Sequence, residues 1–267
     1  MKLTPWQKEW NALIKQERRY LENRLEKKDT KLNTLLAEKV PEKLQNTLNA
    51  AFAKAFETIF EKGSGIIEKT YKREELEIQH KVNTYAAELS ESRKSLSKFN
   101  KDAGSKSGKN LLFSGLSGIG MGLIGVGLPD IPVFTGTLLK SIYETSLNYG
   151  FDYDRPEEKY FILKIIEGAL SYGSRLSGCN NALNDFIENP VLPKDFSEKL
   201  QIKNTAAAMS KELLYMKFLQ GIPVVGTVGG AYNTVYLQRV QKYAKLKYYR
   251  RFLYERSNNF NPGDDIC

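Results

Sequence analysis

At 267 residues, 27% charged and 41% apolar, the chain has the composition of a soluble protein and the length for one large domain or two smaller ones. Two cysteines, Cys179 and Cys267, and one histidine, His80, exclude a disulfide framework, make a poor inventory for a zinc site and suit a reducing cytosol. The net charge of +9 favours anionic partners and is unevenly placed: residues 1–109 hold 23 Lys and Arg against 16 Asp and Glu, residues 110–200 hold 7 against 11, and residues 201–267 hold 10 against 4.

In chain order, the N-terminus carries charges every few residues and no apolar run, so no signal peptide is expected. Thr4-Pro5-Trp6-Gln7 reads as a helix start, with Thr4 as cap, Pro5 in the first turn and Gln7 closing a capping box. A charged helical pattern then runs to about Lys39. Pro41 opens a second helix with Leu44, Leu48, Phe52, Phe56 and Ile59 at helical spacing, and Gly63-Ser64-Gly65 breaks it. A third helical segment over 66–100 is polar on most faces. Its thin stripe of Ile67, Tyr71, Ile78, Val82, Tyr85 and Leu89 predicts packing along one side. Residues 101–109 read as a polar linker. Gly104 to Gly108-Lys109 is one residue short of a phosphate-binding loop, and Asn110 stands where Ser or Thr would hold magnesium, so nucleotide binding is not expected there.

An uncharged, glycine-rich stretch follows, residues 110–129, bounded by Lys109 and Asp130. Beyond it the spacing predicts a helix over Thr135–Tyr149 ended by Gly150, and another opened by Asp154 as cap, Pro156 and Glu157. Further helices are predicted over 174–188 and from near Asp195 or Ser197. A second uncharged stretch spans 218–238. The chain then closes on a basic aromatic helix in which Arg239, Lys242, Lys245, Lys247, Arg250 and Arg251 interleave with tyrosines and phenylalanines. No convincing strand appears.

Glycine inside a helix costs roughly 1 kcal/mol relative to alanine, so the glycine-rich stretches need an offset. Close helix–helix approach supplies one. Gly118 and Gly122 are four apart, Gly226 and Gly230 repeat the spacing, and the two stretches are expected to pack on each other. A buried hairpin, a shallow membrane insertion and true spanning all remain open; both stretches have the length for a span, and both are diluted by polar residues. The closing helix offers its six cations to anionic headgroups, with aromatics suited to the interface, or else covers a core with those aromatics. No recognised nucleic-acid motif accompanies it.

Gly127-Leu128-Pro129-Asp130-Ile131-Pro132, then Tyr149-Gly150-Phe151-Asp152 and Pro156-Glu157-Glu158, resemble the EcsC family. The later block, Pro223 within Gly221–Gly226 through Asn233 and into the basic helix, is similar to that family's C-terminal block. The resemblance covers about 105–255. It implies a bacterial helical protein associated with a membrane or an ABC transporter, and it brings no enzymatic activity or cofactor. Asp130 matches the family pattern, either as a helix cap or as a functional group.

No Cys-His or Ser-His arrangement is evident. The carboxylate pairs Asp152/Asp154 and Glu157/Glu158 sit where capping groups belong. The expectation is therefore an all-α multi-helix bundle with two paired glycine-rich helices: charged N-terminal helices over 1–104, a glycine-rich core over 105–257 and a disordered tail over 258–267. Without cofactor or metal, it is expected to act as a non-enzymatic accessory protein on the cytoplasmic side, at an anionic membrane surface or on a membrane-protein partner. A soluble protein-interaction module and an uncharacterised hydrolase are the alternatives.

Overall fold

The computed structural model describes residues 3–25, 40–62, 65–90, 92–105, 130–219 and 230–260. Among them lie helices and no strands: α1 (Pro5–Glu22), α2 (Glu42–Lys62), α3 (Gly65–Glu68), α4 (Arg73–Ser90), α5 (Arg93–Ser105), α6 (Asp130–Asn148), α7 (Pro156–Ala169), α8 (Gly173–Glu188), α9 (Glu198–Leu219) and α10 (Gly230–Phe260). The all-α expectation holds.

Local chemistry sets several boundaries. The Thr4 hydroxyl accepts from the Gln7 amide at 3.2 Å while the Gln7 side chain accepts from the Thr4 amide at 2.9 Å, completing the capping box that starts α1. The segment read as one helix over 66–100 is three helices. Ser92 caps α5 through the Ser95 amide, and α5 runs on to Ser105, through the first half of the expected linker. Helix α6 begins at Asp130, earlier than predicted, because Pro132 falls in the first turn, where its missing N–H has no intrahelical partner to lose. Asp154 does not cap α7. Arg155 occupies that position without a side-chain bond, and the Asp154 carboxylate instead accepts from Arg73 at 2.7 Å.

Helix α10, 31 residues and about 46 Å long, is the axis of the bundle and packs on α1, α6, α7 and α8. Ring contacts fix the directions. Phe134 meets Tyr236, and Tyr149 meets Tyr248 and Phe252, so α6 and α10 run parallel and begin side by side. Trp6 meets Phe252 while Tyr20 stacks on Tyr243, so α1 runs antiparallel to α10. Phe99 stacks on Phe252, and Asp102 lies near Lys245, which makes α5 antiparallel as well. Helix α2 lies along α9 and α6, and α4 lies on α5 and α6. Leu13, Phe52, Phe56 and Phe99 share one apolar cluster with Ile142, Phe161, Leu183 and Tyr243, so the helices before and after residue 104 have a common core.

Gly118, Gly122, Gly127, Pro129, Pro223 and Gly226, and with them the expected packing of the two glycine-rich stretches, lie outside the described residues. Gly230 is the first residue of α10, and Asn233 falls in its first turn.

Gly150 ends α6 in a Schellman arrangement: its amide donates to the Leu147 carbonyl, and the Phe151 amide donates to the Ser146 carbonyl, both at 2.9 Å. Its φ is +87°, and a Cβ there would come within 2.4 Å of His80 Nε2. Gly150→Ala should therefore lower the unfolding free energy in urea titrations by more than about 2 kcal/mol, the left-handed backbone accounting for roughly 1–2 kcal/mol and the clash for the rest. Introduced into His80→Ala, the same substitution should cost only the backbone part; an undiminished penalty would mean that His80 is not the obstacle.

Candidate functional site: the buried charge seam of the last helix

The apolar and aromatic positions of α10 interleave with cations on several faces, so the helix carries charge into the core. Lys247 is 0% exposed. Its ammonium donates to Glu17 Oε1 of α1 and to Asn184 of α8, each at 2.8 Å. Arg250 donates to the other Glu17 oxygen at 2.8 Å and lies 5.0 Å from the Trp10 ring. Asn180 and Asn184 donate to Glu17 Oε1 at 2.8 and 2.9 Å, and Asn180 accepts from Tyr243 at 2.9 Å. One carboxylate thus joins α1, α8 and α10.

Burial alone would raise the Glu17 pKa. The attraction of Lys247 and Arg250 and the hydrogen bonds from Lys247 and Asn184 outweigh it and hold the carboxyl down at about 2. Lys247 moves down to about 8, because burial and the like charge of Arg250 exceed the pull of Glu17. At neutral pH both partners are charged.

The pattern repeats along the helix. Arg251 donates to Glu158 of α7 at 2.6 Å, beside the Tyr248 hydroxyl on the other oxygen, with its guanidinium 4.1 Å from the Phe151 ring centroid and 5.4 Å from that of Phe161. Arg239 donates to Glu212 of α9 at 2.6 Å and lies against Tyr172. Glu9 accepts from Tyr249 at 3.1 Å and from Arg93 of α5 at 2.9 Å. Of the six cations expected to face an anionic surface, Arg239, Lys247, Arg250 and Arg251 are turned inward onto carboxylates. Lys245 is half-buried near Asp102, and Lys242 is the exposed one. The expectation of one outward cationic face is corrected accordingly. Charge alternates too closely with aromatics for α10 to bury the rings and leave the cations out.

Of the family-motif residues, Tyr149 is buried among Phe99, Tyr249 and Phe252 and donates to Asn100 at 2.5 Å. Pro132 is buried in the first turn of α6, and Asp130 heads that helix. His80 Nδ1 lies 3.0 Å from the Asn148 carbonyl, which can only accept, so that nitrogen carries the proton and Nε2 faces Thr84. Burial lowers the His80 pKa. The expected carboxylate pairs are occupied as well: Arg73 holds Asp152, Asp154, Glu68 and Glu77, and Glu158 serves Arg251.

Burial, with the nearby Glu167 charge, pushes the Cys179 thiol up to about 12, which keeps it protonated and a poor nucleophile. Glu144, which no sequence pattern singled out, is pushed by burial up to about 7, with Lys140 at 4.0 Å partly opposing. Among the described residues, no three or more His, Cys, Asp or Glu side chains come together as a metal site.

Sequence reasoning missed Glu17, Glu158 and Glu212 as partners of α10. A signal existed for one helix. Glu9, Leu13 and Glu17 are four apart and share the buried face of α1. An acid on an apolar face is a charge that must be met from elsewhere in the fold.

The helices and the seam define an all-α protein whose last helix is fixed from three sides by buried glutamates. A family model described as the EcsC protein family matches residues 7–253, and the chain belongs to that family. The match reaches back into α1, well before the 105–255 block that carried the resemblance. No curated protein and no solved structure matches the chain.

Removing Glu17 strands two buried cations. Glu17→Leu should cost about 3–5 kcal/mol in urea unfolding, and adding Lys247→Met should recover at least about 1 kcal/mol by removing one stranded charge. A double variant no more stable than Glu17→Leu would show that the pair is not coupled.

Because the folded pKa of Glu17 lies below its ordinary 4.5, its contribution is present above that value and lost as pH falls toward about 2. The wild type should lose about 3 kcal/mol more than Glu17→Gln across that window, a difference that parallel acid titrations of stability would reveal.

Proposed function

We propose that the protein is a non-enzymatic accessory protein that works at an anionic membrane surface, in keeping with the transporter association that the EcsC resemblance implies. The observation that carries this reading is the placement of the helix ends that flank the two uncharged stretches. Helix α6 follows the first stretch, α10 opens with the last residues of the second, and the two helices begin side by side. Helix α5, which precedes the first, runs toward that same end. Near the end of α9, which leads into the second, Glu212 lies against Tyr236 and Arg239 in the opening turns of α10.

The helix ends that flank the two stretches therefore lie toward one end of the bundle. Residues 110–129 contain no Asp, Glu, Lys or Arg, and Lys106 and Lys109 precede them in the sequence. Lys211 and Lys242 are exposed on α9 and α10. Each cation near an anionic bilayer adds about 1 kcal/mol of attraction, while apolar side chains supply the hold that salt does not screen. No described helix is long and apolar enough to cross a membrane.

Flotation with vesicles containing anionic lipid tests the reading. The wild type should rise with anionic vesicles, less so with added salt. Leu116→Asp combined with Ile119→Asp should stay at the bottom with an unchanged urea midpoint. A wild type that stays down with and without anionic lipid refutes the reading.

A further inference from the structure

Helix α4 has two faces. Thr84 and Ala87 are buried and His80 lies half-buried against Gly150, so the inner face rests on α5 and α6. Ile78, Val82, Tyr85 and Leu89 point the other way, at 60%, 57%, 63% and 69% exposure. The stripe that the sequence pattern assigned to packing is thus in water over these four positions. The remaining exposed large apolar residues among those described, such as Leu3, Val191 and Leu200, are dispersed along the chain.

The four residues are spaced four, three and four apart, the seam of a two-stranded coiled coil. The seam is also self-complementary. With a two-fold axis passing between Asn83 and Thr84, antiparallel copies set Ile78 opposite Leu89 of the second copy and Val82 opposite Tyr85 of the second copy. Beside this seam the same axis brings Lys81 to Glu88 of the second copy, with opposite charges. Lys81 is exposed, and Glu88, paired with Arg256 of its own chain, keeps further acceptor capacity.

Other occupants fit less well. The exposed acids Glu74 and Glu75 adjoin the stripe and oppose an anionic bilayer. Helices α6 and α10, which the uncharged parts of the chain adjoin in sequence, begin at the end away from α4, whose Glu88 meets Arg256 near the close of α10. Residues 261–267, which follow α10, carry one aliphatic side chain, Ile266.

We infer that the protein forms a homodimer through antiparallel pairing of α4 with α4 of a second copy. The seam is two heptads long, so the dimer is concentration-dependent.

Sedimentation equilibrium of the full chain tests this. The weight-average mass should rise from 30.4 kDa toward twice that value with concentration. Val82→Glu with Tyr85→Glu should hold the protein at monomer mass without changing its thermal melt, since both side chains are exposed. Lys81→Glu should weaken the dimer, and adding Glu88→Lys should restore it.

Orientation is read by oxidation in a Cys267→Ser background. A mixture of Val82→Cys and Tyr85→Cys proteins should cross-link faster than either alone. Three outcomes overturn the inference: a monomeric wild type at every concentration, a Val82→Glu/Tyr85→Glu variant that dimerises like the wild type, or faster cross-linking in the unmixed proteins. If those two glutamates abolish vesicle flotation while leaving the mass unchanged, the face belongs to lipid, and the dimer is likewise refuted.

Discussion

Glu17 takes two cations of α10, Lys247 and Arg250, out of water and holds them against α1. Three charged groups in a low-dielectric interior carry a large desolvation penalty, which their mutual attraction and the amides of Asn180 and Asn184 offset. The net stability from such a cluster is small compared with the cost of breaking it. Its structural effect is on register. A slide of α10 by one turn would leave Lys247 buried without a carboxylate, a far worse state than a misfitted leucine. Glu158 and Glu212 impose the same condition from α7 and α9, so the position of α10 is over-determined, and the helices that pack on it inherit that precision.

The corner after α6 works by shape. Gly150 turns left-handed, and the absence of a side chain there lets His80 approach closely enough for Nδ1 to donate to Asn148. Gly168 plays a similar part in α7, where a Cβ would come within 2.9 Å of the Tyr243 ring. Arg73 then clips the loop after α6 to the start of α4 through Asp152 and Asp154. Together these contacts fix which face of α4 looks inward, and so which face is left to solvent.

A net charge of +9 says little about the surface once the pairing is known. Much of the cation content of α10 is paired with carboxylates of the fold itself, Lys247 out of reach of any partner. The helix ends that flank the uncharged stretches lie toward one end of the fold, and the exposed stripe of α4 lies toward the other. A membrane surface and a second copy of the chain would therefore engage separate regions.

Much of the secondary structure was legible in the amino-acid order, because capping, proline and helical periodicity are local effects. Thr4 to Gln7 marks the start of α1, Gly150 marks the end of α6, and the apolar spacing from Leu44 to Ile59 marks α2. The family blocks were legible for the same reason. The destination of each charge was not. Lys247 and Lys242 are five residues apart on one helix and look alike in sequence; one is fully buried and the other is exposed. Only the arrival of Glu17, 230 positions away, distinguishes them. Likewise the stripe on α4 showed that the helix is amphipathic, while the packing of its opposite face on α5 and α6 decided that the stripe stays in water. The sequence by itself determined an all-α chain of this family, because backbone propensity acts over a few residues. The tertiary structure decided which charges and which apolar faces remain available, because electrostatic pairing and burial act between residues that the chain keeps far apart.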